Sequence, residues 1–251
     1  MSAIEEGTDP EQPFISHLIE LRSRLVKALT AVVLVFLLLV PFANRLYQVV
    51  AAPLLARLPA GDQMIAIEVA SPFLIPIKLA FFVAALIAMP VVIYQLWAFV
   101  APGLYRHERR LASPLLVSAI GLFYAGCAFA YFLVLPTVFA FLHKVAPSGV
   151  AVMTDIGKYL DFVLVVFFAF GVCFEVPVAV VILAVLGWVT PQRLAEARPY
   201  VIVGAFVVAA VLTPPDVVSQ LMLAIPMALL YEVGILAARW LPDREPGAAR
   251  P

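Results

Sequence analysis

ALTAVVLVFLLLVPF, residues 28–42, carries no charge, and its apolar positions follow one another instead of alternating. LASPLLVSAIGLFYAGCAFAYFLVLPTVFAFL, residues 111–142, repeats the pattern at twice the length. A transmembrane barrel is built from short alternating strands. Continuous runs read instead as helices that cross a bilayer, because hydrocarbon offers no partner to an unpaired backbone group. The whole chain agrees. Its 251 residues are 65% hydrophobic and 13% charged, with a mean hydropathy of +1.07. A soluble domain is about half apolar and about a quarter charged.

Six stretches approach the roughly 20 apolar residues that a spanning helix needs: 25–43, 73–97, 113–136, 159–183, 199–213 and 217–235. The expected fold is an all-α polytopic membrane protein with a single membrane domain, flanked by flexible tails at 1–13 and 242–251. Pro41, Pro90, Pro136, Pro177 and Pro226 fall in or at the ends of spans. They predict kinked helices around a concave surface. The fifth and sixth spans are short and joined only by Pro214-Pro215-Asp216. At about 21 Å, the fifth falls short of a hydrocarbon core of about 30 Å, so the bilayer is expected to thin beside it. Longer connections, 44–72 and 137–158, contain apolar patches that suit a membrane surface.

Lysine and arginine set the orientation. Eleven gather on one side, among them Arg22, Arg24, Lys27, Arg106, Arg109, Arg110, Arg193 and Arg198. Four, Arg45, Arg57, Lys144 and Lys158, lie on the other, and Lys78 sits just inside the second span. The richer side reads as cytoplasmic, and an even number of spans puts both ends there. The acidic start (Glu5, Glu6, Asp9, Glu11) lacks the pattern of a cleaved signal peptide.

Chemistry-bearing motifs are scarce. Cys127 and Cys173 lie inside apolar runs, and His17, His107 and His143 sit in separate segments, which speaks against a metal or disulfide framework. No GxSxG, HExxH or GxxxxGK[ST] occurs, so no enzyme, cofactor or ATP-driven pump is expected. Glu175, within AFGVCFEVPVAVVI at 169–182, is the outlier. An acid near the centre of a span costs about 2.5–3.5 kcal/mol on insertion scales. It reads either as a carboxyl satisfied by a neighbouring helix or as a polar spot facing a groove or partner. Thr213, Asp216 and Gln220 form a second polar group near the outer face, open to a partner helix or to internal packing. Two cytoplasmic segments stand out. In HLIELRSRL (17–25), Glu20 and Arg24 form an i, i+4 pair; YQLWAFVAPGLYRHERR (94–110) mixes interfacial aromatics with Glu108 among basic residues.

These two segments, with ASPFLIPIKLAF, FGVCFEVPVAV, RPYVIVGAFVV and LTPPDVVSQLMLAIPMALLYE in that order, resemble the TatC family, the multispanning receptor subunit of the twin-arginine protein translocase. The resemblance runs from about residue 14 to 238. It implies binding of the twin-arginine signal peptides of folded precursors, work with the single-span partners TatA and TatB in a multimeric complex, and transport driven by the proton-motive force across the bacterial cytoplasmic membrane. Nucleic acid has no part in it. By motif position it maps signal binding to Glu20, Arg22, Leu25, Phe99, Leu104 and Glu108. In-membrane polar contacts map to Glu175, Thr213, Asp216 and Gln220, and structural prolines to Pro53 and Pro90. Two other classes compete: a secondary transporter or ion channel with Glu175 as relay, and a passive scaffold for other membrane helices.

Overall fold

The computed structural model describes residues 11–55, 65–100, 109–145, 155–212 and 217–240. Nearly all of them are helical. The sole strand-like feature among them is an isolated parallel bridge between Ile65 and Asp155. Helix α1 (Glu11–Leu39) runs through a 3-10 turn at Val40–Phe42 into α2 (Ala43–Leu55). Helix α3 spans Ser71–Val100, and α4 (Arg109–Phe129) passes through one π turn, Ala130–Val134, into α5 (Leu135–Val145). The next span is broken into α6 (Ile156–Cys173) and α7 (Val176–Val185). A short α8 (Pro191–Glu196) precedes α9 (Arg198–Leu212) and α10 (Val217–Arg239).

Five stretches are long and apolar enough to cross a bilayer: Leu18–Val50, Ser71–Phe99, Ser113–Phe141, Ile156–Val185 and Gln220–Arg239. Helix α9 is the shorter one, its 15 residues reaching about 22 Å. At 23 residues α10 is shorter than α1 or α3, at 29 and 30, yet it continues past the expected end at 235 and matches the bilayer. The length deficit therefore belongs to α9. The 44–72 connection also differs from a plain loop, since α2 occupies its first half. Leu46, Tyr47 and Val50, spaced for one helical face, pack against Ile75 and Leu79 at the start of α3.

Alongside a core that includes Phe170, Leu79, Leu160, Leu223 and Ile235, burial departs from that of a soluble protein on the outer faces. Leu34 and Leu37 are 62% exposed and Leu38 71%, while Ala80, Ala84, Ala130 and Ala209 are fully buried. Lipid is as apolar as leucine, so helices gain little by hiding leucine from it. They gain by approaching closely through small residues. Gly126 shows the limit: a methyl group there would fall 2.4 Å from the Phe170 carbonyl oxygen of α6. Gly171 faces the Phe123 ring of α4 in the same way, and Gly234 lets α10 rest against Pro177 and Val180 of α7.

Helix α3 runs back along α1. The contact of α2 with the start of α3 requires this direction, and Phe36 meets Phe81 edge-on at 5.5 Å. Antiparallel α9 and α10 are tied by Gln220 to Phe206 and by Arg198 to Glu232. One end of the bundle thus carries the start of α1 and the end of α10; it is called the terminal end below.

At the opposite end, Asp155 fastens two segments far apart in sequence. It caps α6 by accepting from the Lys158 N–H at 2.8 Å, and its other oxygen accepts from the Ile67 N–H at 3.1 Å. The Ile156 N–H donates to the Ile65 carbonyl at 2.9 Å. Those N–H donors, Lys158 first and then Ile67, hold the Asp155 carboxyl below the usual carboxylate range.

Two predictions follow from this packing. Gly126→Ala should lower the thermal midpoint in detergent by an overpacking cost of about 1–3 kcal/mol. Gly121→Ala, where nothing lies within 4 Å, should leave it unchanged or raise it slightly through helix propensity. Equal shifts would refute the close α4–α6 contact. For Asp155, the folded state favours the charged form. Its contribution is therefore complete above the ordinary carboxylate range and is lost as pH falls through the lowered value. The protection factor of the Ile67 amide should be high at neutral pH and fall only in acid, and Asp155→Ala should lower it at neutral pH to the wild type's acid value. Unchanged exchange in Asp155→Ala would remove the clasp.

Candidate functional site

Glu175 sits in the break between α6 and α7. Pro177 has no N–H to return to the Cys173 carbonyl one turn back, so the helix cannot run straight through. The chain tightens there: the Glu175 N–H donates to Val172 at 3.0 Å, three residues back, and α7 resumes when Ala179 donates to the Glu175 carbonyl at 2.9 Å. Among the described residues, the Glu175 Oε1 is buried and without a hydrogen-bond partner. Phe174, beside it, stacks on Phe129, which also meets Phe170. A buried polar atom thus stands at a helix break close to aromatic rings, its capacity to accept a hydrogen bond unused among the described residues.

Pro90 of α3 lies at about the same depth. Helices α3 and α6 run parallel, joined by the Lys78–Asp161 and Phe82–Phe167 contacts. Both Pro90 and Glu175 lie eight residues beyond that phenylalanine pair, about 12 Å along the axis. The proline of the unbroken α3 and the break between α6 and α7 therefore stand at one level.

The terminal end collects the first group of sequence candidates. Glu20 lies 16 residues before Phe36, and Phe99 lies 18 residues after Phe81. With α1 and α3 antiparallel through the Phe36–Phe81 contact, both reach about the same level, 24–27 Å away. Arg24 donates through Nε at 2.9 Å and Nη2 at 2.5 Å, both to Oε1 of Glu20. Arg22 and Leu25 are exposed on α1, and Phe99 is half-buried. Leu104 and Glu108 lie outside the described residues, as do Thr213 and Asp216 and the tails 1–10 and 241–251. Pro53 lies in the last turn of α2.

The structure resolves Gln220 toward internal packing: its Nε2 donates to the Phe206 carbonyl at 3.2 Å. Three polar contacts escaped the sequence reading. Arg198 forks onto Glu232, Nε to Oε1 at 2.6 Å and Nη2 to Oε2 at 2.9 Å, and closes α9 onto α10 at the terminal end. Next to it the Tyr231 hydroxyl donates to the Leu194 carbonyl at 2.8 Å and seats α8 under the bundle. Lys78 pairs with Asp161 toward the opposite end. That last pair had a visible signal: opposite charges at matching depths, seven residues into α3 and five into α6. Trp97, read as an interfacial anchor, is buried among Ile93, Ala119, Val178 and Val181.

Comparison with known proteins adds a second line. Residues 16–226 match the profile of the family described as Sec-independent protein translocase protein (TatC). The protein of that name from Escherichia coli is 58% identical over 234 residues, 93% of this chain and 91% of the relative. The one from Azotobacter chroococcum mcd 1 is 56% identical over 242 residues, 96% and 95% of the two chains. A crystal structure titled as the twin arginine translocase receptor TatC superimposes with a TM-score of 0.78 at 39% identity, covering 89% of this chain and 98% of that one.

The unpartnered oxygen makes a stability prediction of its own. Leaving a buried acceptor without a donor costs about 1–3 kcal/mol. Glu175→Leu should therefore raise the thermal midpoint of the purified chain in detergent, whatever it does to function. A fall would mean that the carboxyl already has a partner within the fold.

Proposed function

The chain belongs to the TatC family, and on that premise we propose that this core subunit of the Sec-independent translocase is the receptor for twin-arginine signal peptides in the cytoplasmic membrane. Its terminal end faces the cytoplasm, where the positive-inside rule puts the richer side. The observation that carries the reading is the level shared by Glu20 and Phe99 at that end. The two stand in separate segments of the sequence, one a carboxylate and one an aromatic, next to the connection that holds Leu104 and Glu108.

Guanidinium groups seek carboxylates in a fork that lysine cannot match. Arg24 grips only Oε1 of Glu20. A pair of this i, i+4 kind is worth about 0.3–0.5 kcal/mol, so an incoming arginine displaces or shares it readily. Glu20 and Glu108 take the two arginines, Arg22 and Leu25 shape the α1 side, and Phe99 and Leu104 hold the apolar residues that follow. The apolar part of the signal then enters the groove beside α6 toward Glu175. Thr213 and Asp216 mark the connection between α9 and α10 as the place for the single-span partners TatA and TatB, with Gln220 holding the two helices together beside it, and the proton-motive force drives the assembled complex. A proton or ion relay through Glu175 finds less support. The nearest other carboxylate on its helix is Asp161, 14 residues and about 21 Å away.

Photocrosslinking from positions 20 and 99 tests the receptor role. A twin-arginine precursor should label both sites and a twin-lysine version should label them at least several-fold less. Glu108→Arg should abolish labelling by either. Equal labelling by the two precursors, or full labelling of the Glu108→Arg chain, would sink the assignment.

A further inference from the structure

The α6–α7 span is 30 residues long, about 45 Å, against a hydrocarbon core of about 30 Å. With the excess shared between its ends, about 7 Å projects on each side. Asp161 lies five residues from the start of α6 and so falls at the edge of the hydrocarbon. Glu175 lies ten residues from the end of α7, about 15 Å, and so falls inside it. Between these acids one face of α6 is apolar and open: Val165, Phe168 and Val172 are 44%, 57% and 48% exposed. The positions 161, 165, 168 and 172 follow the 3.6-residue repeat along a single stripe of α6, and the break that carries Glu175 closes it. Lys78 of α3 meets Asp161 at the outer end of that stripe, and the two side chains remain 54% and 48% exposed. An ion pair so open to its surroundings stays in contact with water or headgroups. The dry part of the stripe is thus bounded by a polar group at each end, about 21 Å apart, the length of 14 helical residues. The apolar core of an export signal is about 7–15 residues long.

We propose that the Lys78–Asp161 pair is the outer stop of the signal groove and sets the length of the apolar segment that this receptor accepts. This rests on the receptor reading above. The occupant is the helical apolar segment of the signal. Its arginines are held at the terminal end of the bundle, the residues that follow them cover the about 13 Å from the level of Phe99 to that of Pro90 and Glu175, and the apolar helix begins there. The residue after its last apolar turn meets the ion pair, where it becomes solvated. A segment one turn too long carries an apolar residue into the charged pair, and one too short leaves Val165 uncovered beneath it. Removing the pair moves the stop outward to the next polar group on that face, Lys158, three residues earlier and about 4.5 Å away.

Precursor binding by site-specific crosslinking in membranes gives the test, with a series of twin-arginine signals whose apolar segments differ in steps of about one helical turn. In the wild-type chain the yield should peak at one length. In the Lys78→Leu/Asp161→Leu chain the peak should move to segments longer by about three residues, the distance to Lys158. In the exchanged chain, Lys78→Asp/Asp161→Lys, which keeps a pair at the same height, the peak should stay at the wild-type length. That chain carries the decision if the leucine variant does not accumulate: a displaced or flattened peak there overturns the proposal. An unmoved peak in the double-leucine chain also overturns it and leaves the pair as a strut between α3 and α6. Failure of the receptor reading looks different, because the wild-type chain would then label twin-arginine and twin-lysine signals alike at every length.

Discussion

A backbone carbonyl inside hydrocarbon has no water to turn to, and the rest of this structure is arranged around that constraint. Within each span the helix satisfies it. The interesting places are those where the sequence prevents the helix from doing so, and the fold handles each locally. Pro41 is placed in a 3-10 turn at the end of α1. Pro136 follows a π turn whose buried residues are Ala130 and Val134, and the Leu135 N–H donates to the Ala130 carbonyl five residues back. Pro177 ends the straight run of α6, and the break is buried against α10 at Gly234. The breaks at Pro136 and Pro177 lie against protein, where neighbouring helices shield the loosened backbone from lipid, while the turn at Pro41 stays exposed near the end of its span.

Polar side chains obey the same rule at three heights. Arg198–Glu232, Tyr231–Leu194 and Arg24–Glu20 lie at the terminal end, Glu175 stands inside the bilayer at the break between α6 and α7, and Lys78–Asp161 with Asp155 mark the other end. The middle height holds a single carboxyl, with one buried oxygen unpaired among the described residues. Its isolation separates it from the structural pairs above and below, which bind their partners within the chain.

The class of fold was legible in the sequence because the bilayer writes itself into composition and into run length. The helix break was legible at Pro177, where chemistry forbids a hydrogen bond, whereas α3 runs through Pro90 uninterrupted. The helix in the first connection was not, since Pro53 and the polar residues Asn44, Arg45 and Gln48 resemble a loop until Leu46, Tyr47 and Val50 are seen against α3. Nor could the fate of Gln220 be read, because a carboxamide at that depth suits a partner helix as well as the Phe206 carbonyl. Pairing between spans is the general gap: Lys78 and Asp161 are 83 residues apart, and it is the packing of α3 on α6 that brings them together. The names of the signal and its arginines came from the resemblance, since no physical rule turns Glu20 and Glu108 into an address.

The alanine and glycine seams carry a consequence for how such a chain drifts over time. In a soluble core, bulk and greasiness are selected together at the same positions. Here they are divided between two populations. The outward leucines of α1 answer to oiliness alone, so isoleucine, valine or phenylalanine serves equally well. Ala80, Ala84, Ala209 and Gly126 answer to bulk alone. A profile of tolerated substitutions would therefore show its freest positions among the largest residues and its most rigid ones among the smallest, a map of constraint turned inside out by the solvent in which the protein lives.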